Sequence, residues 1–510
     1  MAATEARDRP YARMLDGQYQ LIRSLSQYHE NMQAPVLLAY DHLGTKGKGM
    51  YVAIKGTIDL FASLAKAKRV LRELKFSVRL SGHPDLIYLE NLLVPSDEQT
   101  FTGIFMVFKL MRCDLSTRLA EGVAVAQAEA YGIAQNKGRG CGHEVGKPIT
   151  GRLVKRWMFE LLSGLAFLHG SGVLHRDIKP SNLLVDDHDR LRICNLGLAR
   201  ADVRRGEDIV YTWTSHVVSR SYRAPELFLR RNLPSDTLDQ VSPPSSPRPA
   251  VSDASPTSVA PDIPARRGSA PSAYPPFSSY SPAIDVWSAG AVFSETLTGR
   301  ALIPPGLPVK EQLRAVLSFS GTPKRSDWCD GGGLSSPSMK RYLQSLPHYP
   351  GMDKLGCFPG VSVEGTHLLD QLLAFDPRDR PSAEEALRHP YFHSVRGDYE
   401  RRPRPVALNP ADFDFELRQP SAHEPARLRQ EIVQEIKEFR RRNGKGPGGL
   451  GATPQTRVPP VSGSTLPAQV THDGEAAKAA EAQLLLRGST VPVEKMGAMR
   501  LDDDDPPAPQ

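Results

Sequence analysis

The sequence predicts an α+β chain of two lobes, a small strand-rich one followed by a larger helical one. Three observations lead there. From Tyr19 to about Asp114 the pattern is mostly strands with one helix. From 151 onward the pattern turns helical. The length of 510 residues exceeds one ordinary domain, and a hydrophobic share of 40% supplies a sizeable core.

The elements follow in order. Residues 1–18 read as a polar leader. YVAIK (51–55) reads as a strand, and SLAKAKRVLRELKFSVRL (63–80) carries apolar residues at helical spacing. Residues 121–149, rich in Ala and Gly and containing GRGCG, are expected to form a loop insertion. The run RLVKRWMFELLSGLAFLHGSG (152–172) has a strong helical period that its last glycines stop. A second insertion, 232–282, includes SPPSSPRPAVSDASPTS; such a composition buries no core and is expected to be disordered. Helical patterning resumes at IDVWSAGAVFSETLTG (284–299) and continues to HPYF (389–392). Residues 425–442 form a charged amphipathic helix inside an extension spanning 393–442, and the Gly/Pro/Ala-rich tail 443–510 is expected to be disordered. There are no internal repeats.

Composition narrows the function classes. The net charge is +7 and the pI about 9.0. The basic residues are dispersed or in short clusters such as Arg440–Arg442, with no basic run interleaved with aromatics, so no nucleic-acid partner is expected. A basic surface still favours acidic protein partners. Cys113, Cys141, Cys194, Cys329 and Cys357 show no CxxC spacing and are odd in number, which fits free thiols in a reducing compartment better than disulfides or zinc. The charged N-terminus MAATEARDRPYARMLDGQYQ lacks a signal-peptide apolar core, and no apolar run reaches the roughly 20 residues of a membrane helix. No membrane association is expected. The expected compartment is the cytoplasm, with the nucleus second.

The chemistry rests on an ordered set of motifs. VAIK ends at Lys55, and a helix then carries Glu73. HRDIKPSN supplies His175, Arg176, Asp177, Lys179 and Asn182. NLG (195–197), YRAPE (222–226, with Glu226), DVWSAG (285–290, with Asp285) and DPRDRP (with Arg380) follow. This succession resembles the protein kinases across 19–392, interrupted by the two insertions. The resemblance implies the two-lobed protein kinase fold, with a β-rich N-lobe at about 19–110 and a helical C-lobe at about 111–392. HRDIKPSNLLV, ICNLGLAR, SRSYRAPEL, IDVWSAG and HPYF resemble the MAP kinase group, as do DFDFEL (412–417) and RQEIVQEIKEFRR (429–441) in the extension. LMRCDL (110–115), AIDVWSAG (283–290) and LLAFDP (372–377) resemble the fungal cell-integrity MAP kinases.

The resemblance implies ATP and Mg2+ as cofactors and assigns roles. Phosphoryl transfer needs positioning and charge neutralisation more than covalent work. Lys55 would pair with the α- and β-phosphates and Glu73 would orient it; read alone, the two are surface charges. Val36, Ala53, Phe108 at the gatekeeper position, Met111 and Asp114 complete the nucleotide-binding set. Asp177 would accept or orient the substrate hydroxyl, Lys179 would neutralise the transferring phosphate, and Asn182 would hold a metal ion or make a loop hydrogen bond. His175, Arg176, Glu226, Asp285 and Arg380 are implied to be structural.

Several positions depart from that pattern. Asn195 stands where an active kinase carries its main magnesium ligand, an aspartate; Asn keeps a carbonyl oxygen but loses the charge a hard cation favours. Leu196 keeps the neighbouring position apolar. The phosphate-covering loop falls on His29, Glu30, Asn31, Met32, Gln33 and Ala34, with no glycine to let backbone approach phosphate, and Pro35 stiffens it. Ser77, one helical turn after Glu73, puts a hydroxyl where the family is apolar. The activation lip reads Thr214-Ser215-His216, without its tyrosine. Modified Thr214 or Ser215 would pair with Arg176 and Arg220, and an unmodified polar loop is the equal alternative. The acidic docking patch is eroded to HSVRGDYERRPR (393–404), leaving Asp398 and Glu400 among arginines. Ser242, Ser246 and Ser255 precede prolines in the second insertion, and RRGS ends at Ser269.

Two functions are therefore expected. One is a pseudokinase or scaffold in a MAP kinase pathway, with signalling proteins as partners. The other is a weakly active ATP-dependent Ser/Thr kinase using one metal ion or none.

Overall fold

In a computed structural model of the chain, residues 18–25, 35–45, 48–93, 98–130, 149–201, 220–229, 281–322, 345–351, 358, 361–418 and 420–443 are described. The polar leader up to 17, the phosphate-covering loop at 29–34, the lip at 214–216, most of 232–282 and the tail from 444 lie outside them.

The N-lobe is an antiparallel sheet ordered β1-β2-β3-β5-β4. Its strands are β1 (Tyr19–Ser24), β2 (Val36–Thr45), β3 (Lys48–Thr57), β4 (Leu89–Leu93) and β5 (Ile104–Lys109). β3 shows the period of two that sorts a strand's faces. Val52 and Ile54 are buried with Leu37, Ala39, Phe105 and Val107 in a cluster on one face. Ala53 and Lys55 take the other. Register places Val36 and Met106 opposite Lys55, and Leu38 and Phe108 opposite Ala53. Directly opposed residues share a face, so Val36, Ala53, Lys55 and Phe108 stand together on it.

Helix α1 (Leu64–Arg79) starts at Ser63, whose hydroxyl accepts from the Lys66 N–H at 3.2 Å. After β5 the chain passes Met111, which is buried, into β6 (Cys113–Asp114) and helix α2 (Leu115–Ala130). The loop expected over 121–149 is thus helix as far as Ala130. Alanine-rich composition favours helix; Gly122 is the one glycine this helix accommodates, and Gly132, Gly138, Gly140, Gly142 and Gly146 come after it.

The C-lobe is built around α3 (Gly151–Gly170), capped by the Thr150 hydroxyl, with Trp157, Leu161, Leu162, Leu165 and Leu168 fully buried. α5 (Ala283–Thr298) packs against it, and on another side Gly290 allows close approach of residues 372–373: a Cβ there would sit 2.8 Å from Leu373 Cγ. α4 (Pro225–Leu229), α6 (Val309–Ser320), α7 (Val363–Leu372) and α8 (Ala383–Leu387) complete the lobe. Short strands β7 (Val173–Leu174), β8 (Leu183–Val185), β9 (Leu191–Ile193) and β10 (Arg200–Ala201) form two small ladders, β10-β7 and β6-β8-β9, at the lobe junction.

The extension returns to the N-lobe. Its 3-10 turn Pro410–Glu416 and helix α9 (Glu424–Arg442) lie against α1. Phe413 stacks on Phe76 at 4.8 Å between centroids. Glu435 reaches Lys75 at 2.8 Å and Arg79 at 3.0 Å, Asp412 reaches Arg79 at 2.9 Å, and Glu416 reaches Arg72 at 2.8 Å. The eroded docking patch is a 3-10 segment, Pro390–Arg401, and Arg402 just after it pairs with buried Asp85. Among the described residues no helix is long and apolar enough to cross a membrane.

Candidate nucleotide site

The expected site residues come together at the lobe junction. Lys55 Nζ lies 2.5 Å from Glu73 Oε1, with Glu73 the more buried partner. Strand β3 presents the lysine, and the helical register of α1 brings the glutamate to it. Asp114 spends Oδ1 on the start of α2, accepting from Thr117 N and Ser116 Oγ at 2.8 Å each.

The loop 175–182 hangs between β7 and β8 and is pinned from beneath. Asp285 at the start of α5 accepts from the N–H groups of His175 and Arg176, both at 2.8 Å, and its Oδ2 lies 3.0 Å from His169 Nε2. Burial alone would raise this carboxyl's pKa, but these bonds outweigh it and hold it below the usual range. Arg176 sits at φ 70°. A bulky residue in that region costs about 1–3 kcal/mol, and it persists where surrounding contacts over-determine it; the Asp285 grip does so. His175 is fully buried, with Nε2 3.0 Å from the Cys194 carbonyl and Nδ1 accepting from Asp177 N–H at 3.2 Å. This fixes one neutral tautomer and ties the loop to the strand before Asn195.

Asn182 Nδ2 donates to the Asp177 carbonyl and to Asp177 Oδ2, both at 2.7 Å. Lys179 Nζ lies 3.0 Å from the same Oδ2. Asn182 thus makes the loop hydrogen bonds of its bland reading and also presents Oδ1 across the site. There it accepts from Asn195 Nδ2 at 3.1 Å. Asn195 takes a left-handed backbone at φ 67°, which asparagine tolerates, and its Oδ1 is buried without a hydrogen-bond partner. Leu196 is buried in the main core. Burial pushes the Cys194 thiol up to about 12, which disfavours the thiolate form.

The structural residues hold the C-lobe. Arg380 is fully buried and forks onto Glu226 at 2.7 and 2.8 Å, with its guanidinium 5.0 Å from the Trp287 ring. The residue that sequence reasoning missed is Arg72. It is buried beside Glu73 and donates Nη1 to the Gly197 carbonyl at 2.5 Å while Nη2 holds Glu416. It links the NLG turn, α1 and the extension. The acidic residues in DFDFEL were the available signal.

The donor chemistry separates the two implied cofactors. Lys55 with Glu73 and the shared face of Val36, Ala53 and Phe108 fit a nucleotide. Magnesium does not fit as well. It wants charged oxygens in octahedral array. Here it meets one neutral amide oxygen already bonded by Asn195 and one unpartnered neutral amide oxygen, while Asp177 Oδ2 is engaged by Asn182 and Lys179. Among the described residues no group of three His, Cys, Asp or Glu side chains is placed to hold a metal.

Comparison with known proteins agrees with this geometry. The protein kinase domain model matches residues 42–242 and 270–392, and the chain belongs to that family. The match begins after β1 and most of β2, where the glycine-free loop lies, although both strands are in the sheet. Within the family the chain falls in the MAP kinase group. It is 32% identical over 394 residues to Mitogen-activated protein kinase 17 of Oryza sativa subsp. japonica, covering 77% of this chain and 54% of that one. Mitogen-activated protein kinase 9 of Arabidopsis thaliana gives 32% over 394 residues, 77% and 61%. Mitogen-activated protein kinase 14 of Oryza sativa subsp. japonica gives 31% over 401 residues, 78% and 58%. The chain spans a little over half the length of these relatives. They are plant proteins and lend no support to the expected fungal subgroup.

Proposed function

We propose that this chain is a MAP kinase-like signalling protein with impaired phosphoryl transfer, acting on a pathway through its kinase-shaped surface as a pseudokinase or scaffold. One observation carries the reading: the carboxylate that would hold magnesium is an amide, Asn195, bonded to the other metal-facing amide. Without a cation bridging the phosphates, the charge that develops during transfer goes largely unneutralised. The proposed partners are signalling proteins, MAP kinase pathway members among them, in the cytoplasm and the nucleus.

A second reading, a weakly active Ser/Thr kinase, is favoured by the Lys55–Glu73 pair and by Asp177 with Lys179 at 3.0 Å. Phosphotransfer from ATP with Mg2+ to a generic protein acceptor separates the two. Wild-type protein is expected to match an Asp177→Asn control, and Asn195→Asp to exceed it by at least about tenfold. Transfer by the wild type that Asp177→Asn abolishes would overturn the first reading and establish the second.

A further inference from the structure

We infer that the cleft takes a nucleoside triphosphate without a divalent cation, the Asn195 amide making the link that a metal ion would otherwise make between the 175–182 loop and the NLG turn. The inference rests on the reading of the site as a kinase cleft with a lost metal ligand, and extends it to the ionic form of the ligand.

Charge balance carries the argument. Among the described residues, the charged pairs of the site include Lys55 with Glu73 and Lys179 with Asp177, each cation set against a carboxylate. The two residues at the metal-facing positions, Asn182 and Asn195, are neutral. Among the described residues, no carboxylate occupies the metal-facing positions to compensate a dication. Mg2+ gives up its water reluctantly and does so for charged oxygens. Bringing it in would also mean breaking the 3.1 Å bond from Asn195 Nδ2 to Asn182 Oδ1 and turning an N–H away from the ion.

The connection between the two segments exists without metal. Asn195 donates to Asn182, Asn182 donates twice to Asp177, and Cys194 N donates to the Asn182 carbonyl at 3.0 Å. His175 adds its bond to the Cys194 carbonyl. These bonds run through protein groups alone, so the link between the two segments does not call for a cation. Among the described residues, Lys55 and Lys179 are the motif cations that would meet phosphate. Each is attracted more strongly to the free triphosphate than to its magnesium complex, because the cation cancels two of the anion's charges. Among the described residues the Asn195 Oδ1 is the orphan acceptor of the site. A single neutral oxygen is a poor replacement for a carboxylate toward magnesium, and a small gain in charge at that atom restores the missing donor.

The test is equilibrium binding of ATP to the full chain, read by thermal shift and by calorimetry, once with EDTA and once with excess Mg2+. Lys55→Met reports whether the signal comes from this cleft. The expected result is binding in EDTA at least as tight as in Mg2+, lost in Lys55→Met. Asn195→Asp is expected to reverse the preference, binding about tenfold tighter with Mg2+ than without. Three results would overturn the inference: wild-type binding about tenfold tighter with Mg2+, no binding in either buffer, or an Asn195→Asp protein with the wild-type cation preference. The first of these, joined to an absence of phosphotransfer, removes the cation-free ligand and leaves the impaired-transfer reading standing. Phosphotransfer by the wild type removes that reading whatever the cation preference of binding.

Discussion

Replacing Glu435 by alanine tests how much the extension contributes to the N-lobe. Glu435 is 4% exposed; its Oε1 accepts from Lys75 at 2.8 Å and from Arg79 at 3.0 Å, and its Oε2 accepts a second bond from Arg79. Those cations are themselves withdrawn from water, at 6% and 14% side-chain exposure. Removing one partner of a buried pair costs about 3–5 kcal/mol when the other charge is stranded. Here neither is wholly stranded: Arg79 keeps Asp412 at 2.9 Å, and Lys75 keeps Glu431 at 3.7 Å. The expected loss is therefore below that range, about 2–3 kcal/mol. Urea unfolding, followed by circular dichroism, measures it. Glu431→Gln is the internal comparison, because that carboxylate is 22% exposed, its contact with Lys75 is long, and its short partner, Arg418 at 2.6 Å, is itself 29% exposed and keeps Glu424; its cost should be below about 1 kcal/mol. If Glu435→Ala costs no more than Glu431→Gln, the extension rests on α1 without supporting it and the ion-pair argument fails.

Two further outcomes follow from buried charge elsewhere. Glu226→Gln leaves the Arg380 guanidinium fully buried with only neutral acceptors, and should lower stability by about 3 kcal/mol in the same unfolding assay. A loss below about 1 kcal/mol, the range of an exposed pair, would refute the argument from burial. Glu160 titrates in the folded chain at about 7 because burial penalises its charged form, against 4.5 in its ordinary setting. Between those values the folded state keeps a proton that the unfolded state has released, so this group's contribution to stability falls as pH rises from about 4.5 to about 7. Glu160→Gln should remove roughly 3 kcal/mol of that fall, measured as unfolding free energy from pH 4 to 8. An unchanged slope would mean the carboxyl is ionised throughout.

The motif residues were legible from the chain alone because each is fixed by its own element. Period two sets the face of Lys55, and the 3.6-residue turn brings Glu73 to it. The backbone grip of Asp285 on the 175–182 loop belongs to two motifs already recognised. What was not legible depends on partners far along the chain. Lys68, Arg72, Lys75 and Arg79 recur at helical spacing and read as the wet side of an amphipathic helix. They are instead covered by a segment more than 330 residues later, and no local pattern encodes that distance. The helix extending to Ala130 was hidden for the opposite reason, since nearby glycines outweighed an alanine-rich run that had every local reason to be helical. The Asn195–Asn182 bond lay between these cases. The loss of the carboxylate was plain in the sequence, but only the structure shows the amide closing onto its neighbour.

The covering of α1 also bears on how the protein breathes. One side of this helix holds Lys55, one residue reaches the NLG turn through Arg72, and the remaining side is closed by α9. A helix with solvent along one flank opens locally, at a cost well below that of unfolding the molecule. From Val70 to Val78 every residue of α1 is buried, and this stretch has no such flank. Its amides cannot be exposed without first lifting α9, so the two segments share one opening event and exchange hydrogen at the same pace. Swinging the helix outward, and with it Glu73 away from Lys55, becomes a partial unfolding of the chain's C-terminal end, and a partner protein that grips α9 acquires leverage over the nucleotide cleft from the far side of the lobe.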